Sequence, residues 1–162
     1  MEPVDIYLSL GSNLGDRQGN LDKAIEMLSD ALGVQPEAVS SVIETEPWGY
    51  NSENKFLNIC VLYSIVLPED IPAAMAARGL LYEAKRIEKW MGREKSGPGY
   101  EDRPRDIDVL YFGNVELKEK DLEIPHPRIT ERDFVKIPLK EIAKPTLRAA
   151  YPEIFSYIST SK

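Results

Sequence analysis

The 162-residue chain has a single cysteine and a single histidine. With Cys60 alone no intramolecular disulfide can form, which fits a reducing compartment. Cys60 stands in an apolar run, where a buried structural thiol is the ordinary reading. With His126 alone there are too few ligands for a histidine- or cysteine-based zinc site. No serine has a credible His/Asp triad either. Basic charge is also in deficit: 20 Lys and Arg face 27 Asp and Glu, a net charge of −7. That balance argues against a general binder of long nucleic acids. The longest largely apolar stretch, Ile59–Leu67, has nine residues, one of them Ser64, and is too short to span a bilayer. The opening Met1-Glu2-Pro3-Val4-Asp5 lacks the basic and apolar regions of a secretory leader. A soluble, cytoplasmic protein is expected. There is no Gly-x-x-x-x-Gly-Lys-Ser/Thr segment, which excludes a P-loop enzyme. The turn Gly11-Ser12-Asn13-Leu14-Gly15-Asp16 resembles a phosphate loop only superficially, because it has no lysine.

What is present is globular in character: 43% hydrophobic and 29% charged residues, without repeats or linkers. One domain over 1–162 is expected. Val4, Ile6, Leu8 and Leu10 alternate with other residues at period two, a strand pattern. Asp16 is placed to cap a helix in which Leu21, Ile25, Leu28 and Leu32 recur at helical spacing, with Gly33 as its stop. Val39–Thr45 and Phe56–Leu67 read as strands, and Pro72–Met91 as a helix with one apolar face. Residues 93–105, rich in Gly and Pro, read as loop. Asp106–Phe112 is a fourth strand, Gly113-Asn114 reads as a hairpin turn, and Leu117–Ile124 reads as one further strand. Thr130 is positioned to cap a short helix that Pro138 would interrupt or restart. The core order βαββαβ predicts an α+β, ferredoxin-like arrangement: an antiparallel sheet with helices packed on it.

Three groups of residues suggest chemistry. Asp106 and Asp108, two apart on a strand, share a face at roughly 6–7 Å spacing, with Ile107, Val109 and Tyr111 expected on the other. Such a pair suits Mg²⁺ ions bridging phosphate oxygens, although an isolated Asp-x-Asp is more often two solvated acids. Residues 85–105 form the second group. They hold seven Lys and Arg against four acids, a net of +3 in a remainder of −10. Arginines on a loop that runs into a carboxylate pair are what phosphoryl transfer requires, since transfer depends on positioning and on neutralising phosphate charge. The third group, Thr45-Glu46-Pro47-Trp48-Gly49 with Phe56-Leu57-Asn58, could stack on and hydrogen-bond a flat heterocycle. Asn58 is the informative member, because an amide inside an apolar strand needs a partner. His126, between Pro125 and Pro127, is held in a stiff loop where it could contact a nucleotide phosphate.

These stretches, taken in order with Gly92-Arg93, Arg103-x-x-Asp-Ile-Asp-Val-Leu and Ile124-Pro-His-Pro-Arg…Arg132-x-Phe134-Val, resemble the 6-hydroxymethyl-7,8-dihydropterin pyrophosphokinase family over about residues 4–143. The resemblance implies ATP-dependent transfer of a pyrophosphoryl group to the pterin hydroxymethyl oxygen, giving AMP, in folate biosynthesis. It implies two Mg²⁺ ions held by Asp106 and Asp108. It implies catalytic assistance from Arg93 and Arg103, and ATP contacts from Glu88, Val109, His126 and Arg132. It implies a pterin pocket from Thr45, Pro47, Trp48, Phe56, Asn58, Tyr100 and Phe134. It further implies a monomer acting on small molecules, with no nucleic-acid or membrane partner. The family commonly has Trp-Gly-Pro-Arg where this chain has Tyr100-Glu101-Asp102-Arg103, and often Tyr where Pro127 stands. On the residues alone, two other readings stay open. One is a phosphotransferase or nucleotidyltransferase with another acceptor. The other is a non-enzymatic binding module, against which the aspartates on a strand face argue.

Overall fold

The computed structural model describes residues 3–46, 54–90, 106–152 and 154–155. Strand β1 (Val4–Ser12) is followed by helix α1 (Arg17–Leu32), short strands β2 (Ala38–Val39) and β3 (Ile43–Thr45), and the long strand β4 (Phe56–Ile65). Helix α2 (Ala73–Trp90), strand β5 (Asp106–Phe112), the β6 (Leu117–Glu119) and β7 (Leu122–Ile124) pair, and helices α3 (Asp133–Ile142) and α4 (Pro145–Ala150) complete the order. The sheet runs β2-β4-β1-β5, all antiparallel, with β3 pairing β4 beyond β2. This is the ferredoxin-like α+β fold.

Local chemistry accounts for the element ends. The Asp16 carboxylate accepts from the Gly19 N–H at 3.1 Å and caps α1. Gly33 ends that helix at φ 75°, a left-handed conformation that costs glycine little, with its N–H on the Ser29 carbonyl at 2.8 Å. The single strand expected over Val39–Thr45 is instead two pieces. Ser40 Oγ accepts from the Cys60 N–H at 2.9 Å, and the Ser41 N–H turns out of the ladder to the Glu141 carboxylate at 3.0 Å. The register against β4 therefore slips by one residue between Val39↔Val61 and Ile43↔Asn58. The strand expected over Leu117–Ile124 is a correction of the same kind: it folds back on itself as the β6–β7 hairpin. Thr130 does not cap the following helix. It lies in a 3₁₀ turn, Ile129–Glu131, and α3 starts after Arg132. Pro138 neither interrupts nor restarts α3, which runs through it. The proline is buried against the sheet, and that packing offsets its missing hydrogen bond.

Each face of the sheet has its own core. On the first, Ile6, Leu8, Leu10, Ile59, Val61, Tyr63, Ile107 and Val109 meet the apolar stripes of α1 (Leu21, Ala24, Leu28) and α2 (Ala77, Leu80, Ala84, Ile87). On the second, Tyr7, Cys60, Leu62, Leu110 and Tyr111 meet Ile129, Val135 and Leu139, with Leu147 from α4 and Ile154 and Phe155 beyond it. Strict alternation would put Tyr111 on the first face with Ile107 and Val109. A β-bulge overrides it: Leu8 pairs with Val109 but Tyr7 with Tyr111, so Leu110 and Tyr111 both point to the second face.

Candidate active site

The second face carries the site at its other end. Residues opposite one another in antiparallel strands share a face. Gly11 of β1 is opposite Asn58 on one side and Asp106 on the other. Ser9 is likewise opposite Cys60 and Asp108. Asn58, Gly11 and Asp106 thus form one row across three strands, the outer two about 10 Å apart at two strand spacings. Thr45, opposite Phe56, extends the same face.

Thr45 and Phe56, expected from the resemblance to form a pterin pocket with Phe134, lie near Asn58, which is 3% exposed. Its amide Nδ2 donates to Thr45 Oγ1 at 2.7 Å, which supplies the partner an amide in an apolar strand requires. Phe56 begins β4 on the same face, and Phe134, in the first turn of α3, packs at the margin of the second core. The Arg132 guanidinium carbon lies 5.6 Å from the Phe134 ring centroid, a cation–π contact.

A second group of the expected site residues lines a cleft of about 390 Å³ along the outer edge of β5. Asp106 and Asp108, both partly buried, share its wall with Glu88, Val109, His126 and Arg132. Glu88, in the last turns of α2, is buried, and its Oε2 accepts from the Ile107 N–H at 2.7 Å. A helix carboxylate thereby satisfies a backbone donor on the sheet's edge strand. The Val109 side chain belongs to the first core, so its part in the cleft is as floor. Arg132 Nη1 lies 3.6 Å from Asp108 Oδ2, and His126 Nε2 lies 3.8 Å from Asp108 Oδ1. The His126 N–H donates to the Leu110 carbonyl at 3.0 Å, and its Nδ1 accepts from the Arg128 N–H at 3.1 Å. An accepting Nδ1 puts the proton of the neutral ring on Nε2, which faces Asp108 as a donor. Burial first, and then the Arg132 cation, lower the imidazole pKa to about 4, with Asp106 pulling the other way. The ring is therefore neutral at pH 7.

The donor set fits Mg²⁺. Carboxylate oxygens are the hard ligands this ion takes, and it keeps waters and phosphate oxygens in its other positions. Among the described residues no group of three or more His, Cys, Asp and Glu converges into an all-protein cage. Pro47, Trp48, Arg93, Tyr100 and Arg103 lie outside the described residues. Leu81, read from sequence as part of the apolar helix face, and Lys85, the first member of the basic group 85–105, line the cleft beside Glu88. Their spacing of four and then three residues on α2 is the signal that puts all three on one helix face.

The site is thus an edge cleft of an antiparallel α+β sheet, with Asp106 and Asp108 on its wall. The sequence profile of one family, 7,8-dihydro-6-hydroxymethylpterin-pyrophosphokinase (HPPK), matches residues 7–144, and the chain belongs to that family. It is an enzyme of the diphosphokinase type. A 2-amino-4-hydroxy-6-hydroxymethyldihydropteridine pyrophosphokinase of Porphyromonas gingivalis is 44% identical over 142 residues, covering 85% of this chain and 90% of that one. A folate synthesis bifunctional protein of Arabidopsis thaliana is 36% identical over 139 residues, covering 85% of this chain and 27% of that one. Among solved structures, an HPPK-DHPS crystallised in complex with substrates superposes with a TM-score of 0.62 at 14% identity, over 99% of this chain and 44% of that one. This chain spans less than half the length of that two-part protein, and the likeness is one of fold. Among the described residues no helix is long and apolar enough to cross a membrane.

Proposed function

We propose that the chain transfers the pyrophosphoryl group of ATP to the hydroxymethyl oxygen of 6-hydroxymethyl-7,8-dihydropterin, with Mg²⁺, giving AMP and the pterin diphosphate, a step of folate synthesis. The observation that carries this is the row Asn58–Gly11–Asp106: an amide and a carboxylate on one sheet face, a small molecule's length apart. In this reading the hydroxymethyl oxygen attacks the β-phosphorus, the bond to the α-phosphate oxygen breaks, and AMP leaves. Asp106 and Asp108 would hold two Mg²⁺ ions. When bound, the ions offset charge on the phosphate oxygens and fix the triphosphate's path.

The chain's own groups do the rest. Asn58, held by Thr45, reads the heterocycle edge, and Phe56 and Phe134 pack on its faces, with Pro47, Trp48 and Tyr100 assigned to the same pocket. Neutral His126 offers Nε2–H to a phosphate oxygen, and Arg132 adds a cation beside Asp108. Glu88 and Val109 complete the nucleotide side. Arg93 and Arg103 are assigned to charge that develops on the migrating group. The enzyme acts as a monomer in the cytoplasm.

The test is the product. Incubation with ATP, Mg²⁺ and the pterin alcohol should yield AMP. ADP in its place overturns pyrophosphoryl transfer and leaves an ordinary kinase.

A further inference from the structure

The segment Gly11–Arg17 has the look of a phosphate loop, yet a side chain at Gly11 would meet Asn58 and Phe56, and Arg17 bonds to Glu44 and Lys55. A Cβ on Gly11 would stand 2.9 Å from Asn58 Oδ1 and 3.3 Å from the Phe56 ring, closer than such atoms pack. The Asn58 amide has little room to retreat, since it is buried and its Nδ2 is engaged with Thr45 Oγ1. Gly11 is therefore a glycine for space on the pocket floor, beneath both the amide and the ring. Six residues on, Arg17 makes two contacts with the neighbouring strands. Its Nη1 donates to Glu44 Oε2 at 2.7 Å and to the Lys55 carbonyl at 2.9 Å. Glu44 directly precedes Thr45, and Lys55 directly precedes Phe56. One guanidinium thus ties together the two chain segments whose next residues, Thr45 and Phe56, pair across the β3–β4 ladder beside Asn58.

We propose that Gly11 and Arg17 are positioning residues for the heterocycle, acting through Asn58: Gly11 leaves the amide its place, and Arg17 clips the Thr45 and Phe56 segments that hold it there. This rests on the proposed function, because it takes Asn58 as the group that reads the pterin. Gly11 and Arg17 thereby serve the acceptor substrate.

Affinities for hydroxymethyl-dihydropterin, in the presence of Mg²⁺ and a non-hydrolysable ATP analogue, and for the Mg²⁺-analogue complex alone, test this by calorimetry. Gly11→Ala should weaken pterin binding about tenfold and leave nucleotide binding within about twofold. Arg17→Met, a change at a surface side chain, should weaken pterin binding about threefold and nucleotide binding not at all. A residue that acts through Asn58 has nothing left to position once the amide is gone. Gly11→Ala combined with Asn58→Ala should therefore bind pterin no worse than Asn58→Ala alone, within about twofold, and the same holds for Arg17→Met. Losses that multiply in the double variants overturn the proposal, as do pterin and nucleotide affinities that fall together, or single variants that bind pterin like the parent. If Gly11→Ala does not fold, the two Arg17 variants decide. If the unaltered chain binds the nucleotide but not the pterin, the substrate reading fails first and takes this inference with it.

Discussion

Strands β1, β4 and β5 carry two opposite environments along a single face of the sheet. Toward one end that face presents Tyr7, Cys60, Leu62, Leu110 and Tyr111, all at most 1% exposed beneath α3, α4 and the residues that follow. Toward the other it presents Ser9, Gly11, Asn58, Asp106 and Asp108, a few residues along the same strands. The difference is in what the strands place there: apolar side chains at one end, an amide and two carboxylates at the other. Under the helices, the apolar side chains meet others and stabilise the fold by leaving water. At the other end, the same pleat delivers the Asp106 and Asp108 carboxylates to a cleft, on a backbone already made rigid by the covered half. A site on strands is more exactly held than one on loops. The apolar end can thus be seen as the support for the polar end.

The sharpest test of that division is at the aspartates. Asp106→Ala and Asp108→Ala should each lower kcat by about 10³-fold or more, since phosphate charge would lose its metal. The thermal midpoint should hold, because both residues are only partly buried. Variants that keep most of their AMP-forming activity would break the assignment. Leu62→Ala should do the reverse. A cavity under α3 costs about 2–5 kcal/mol in urea unfolding, while kcat per folded molecule stays near that of the parent. A large fall in kcat at full folding would show that the two ends are not separable.

His126 sharpens the boundary between them. In the folded chain its pKa is lowered to about 4, by burial and by Arg132, against about 6.5 when unfolded. Between those values the unfolded chain binds the proton and the folded chain does not, so stability falls as pH drops from 6.5 toward 4. His126→Asn removes this component. Urea titrations at pH 7 and 5 without Mg²⁺ should show the parent losing more stability than the variant, and parallel losses would refute the burial. The smallest effect is expected at Cys60, whose thiol pKa is raised by burial. At pH 8 a thiol reagent should leave it untouched in the native protein and modify it fully in urea. Rapid native modification would mean that the covered end opens.

Much of this was legible from residue order. The α1 caps at Asp16 and Gly33, the span Asp106–Phe112, and the shared face of Asp106 and Asp108 follow from chemistry within a turn or a pleat. The α+β order followed from the same periodicities. Three features were not legible: the break at Ser40–Ser41, the bulge that turns Tyr111 over, and the passage of α3 through Pro138. Each is settled by a partner distant in sequence: Cys60 and Glu141 for the serines, β1 for the bulge, the sheet beneath for the proline.

The sequence by itself therefore determined where α1 starts and stops and that Asp106 and Asp108 share a strand face, because capping, alternation and helical period act over a few residues. Only the tertiary structure decided which site residues meet. That Gly11 separates Asn58 from Asp106, that Arg17 joins Glu44 to Lys55, and that Glu88 closes on the Ile107 N–H are matters of register and edge. Register is set when whole strands bury one face against a core, a condition no short stretch of the chain contains.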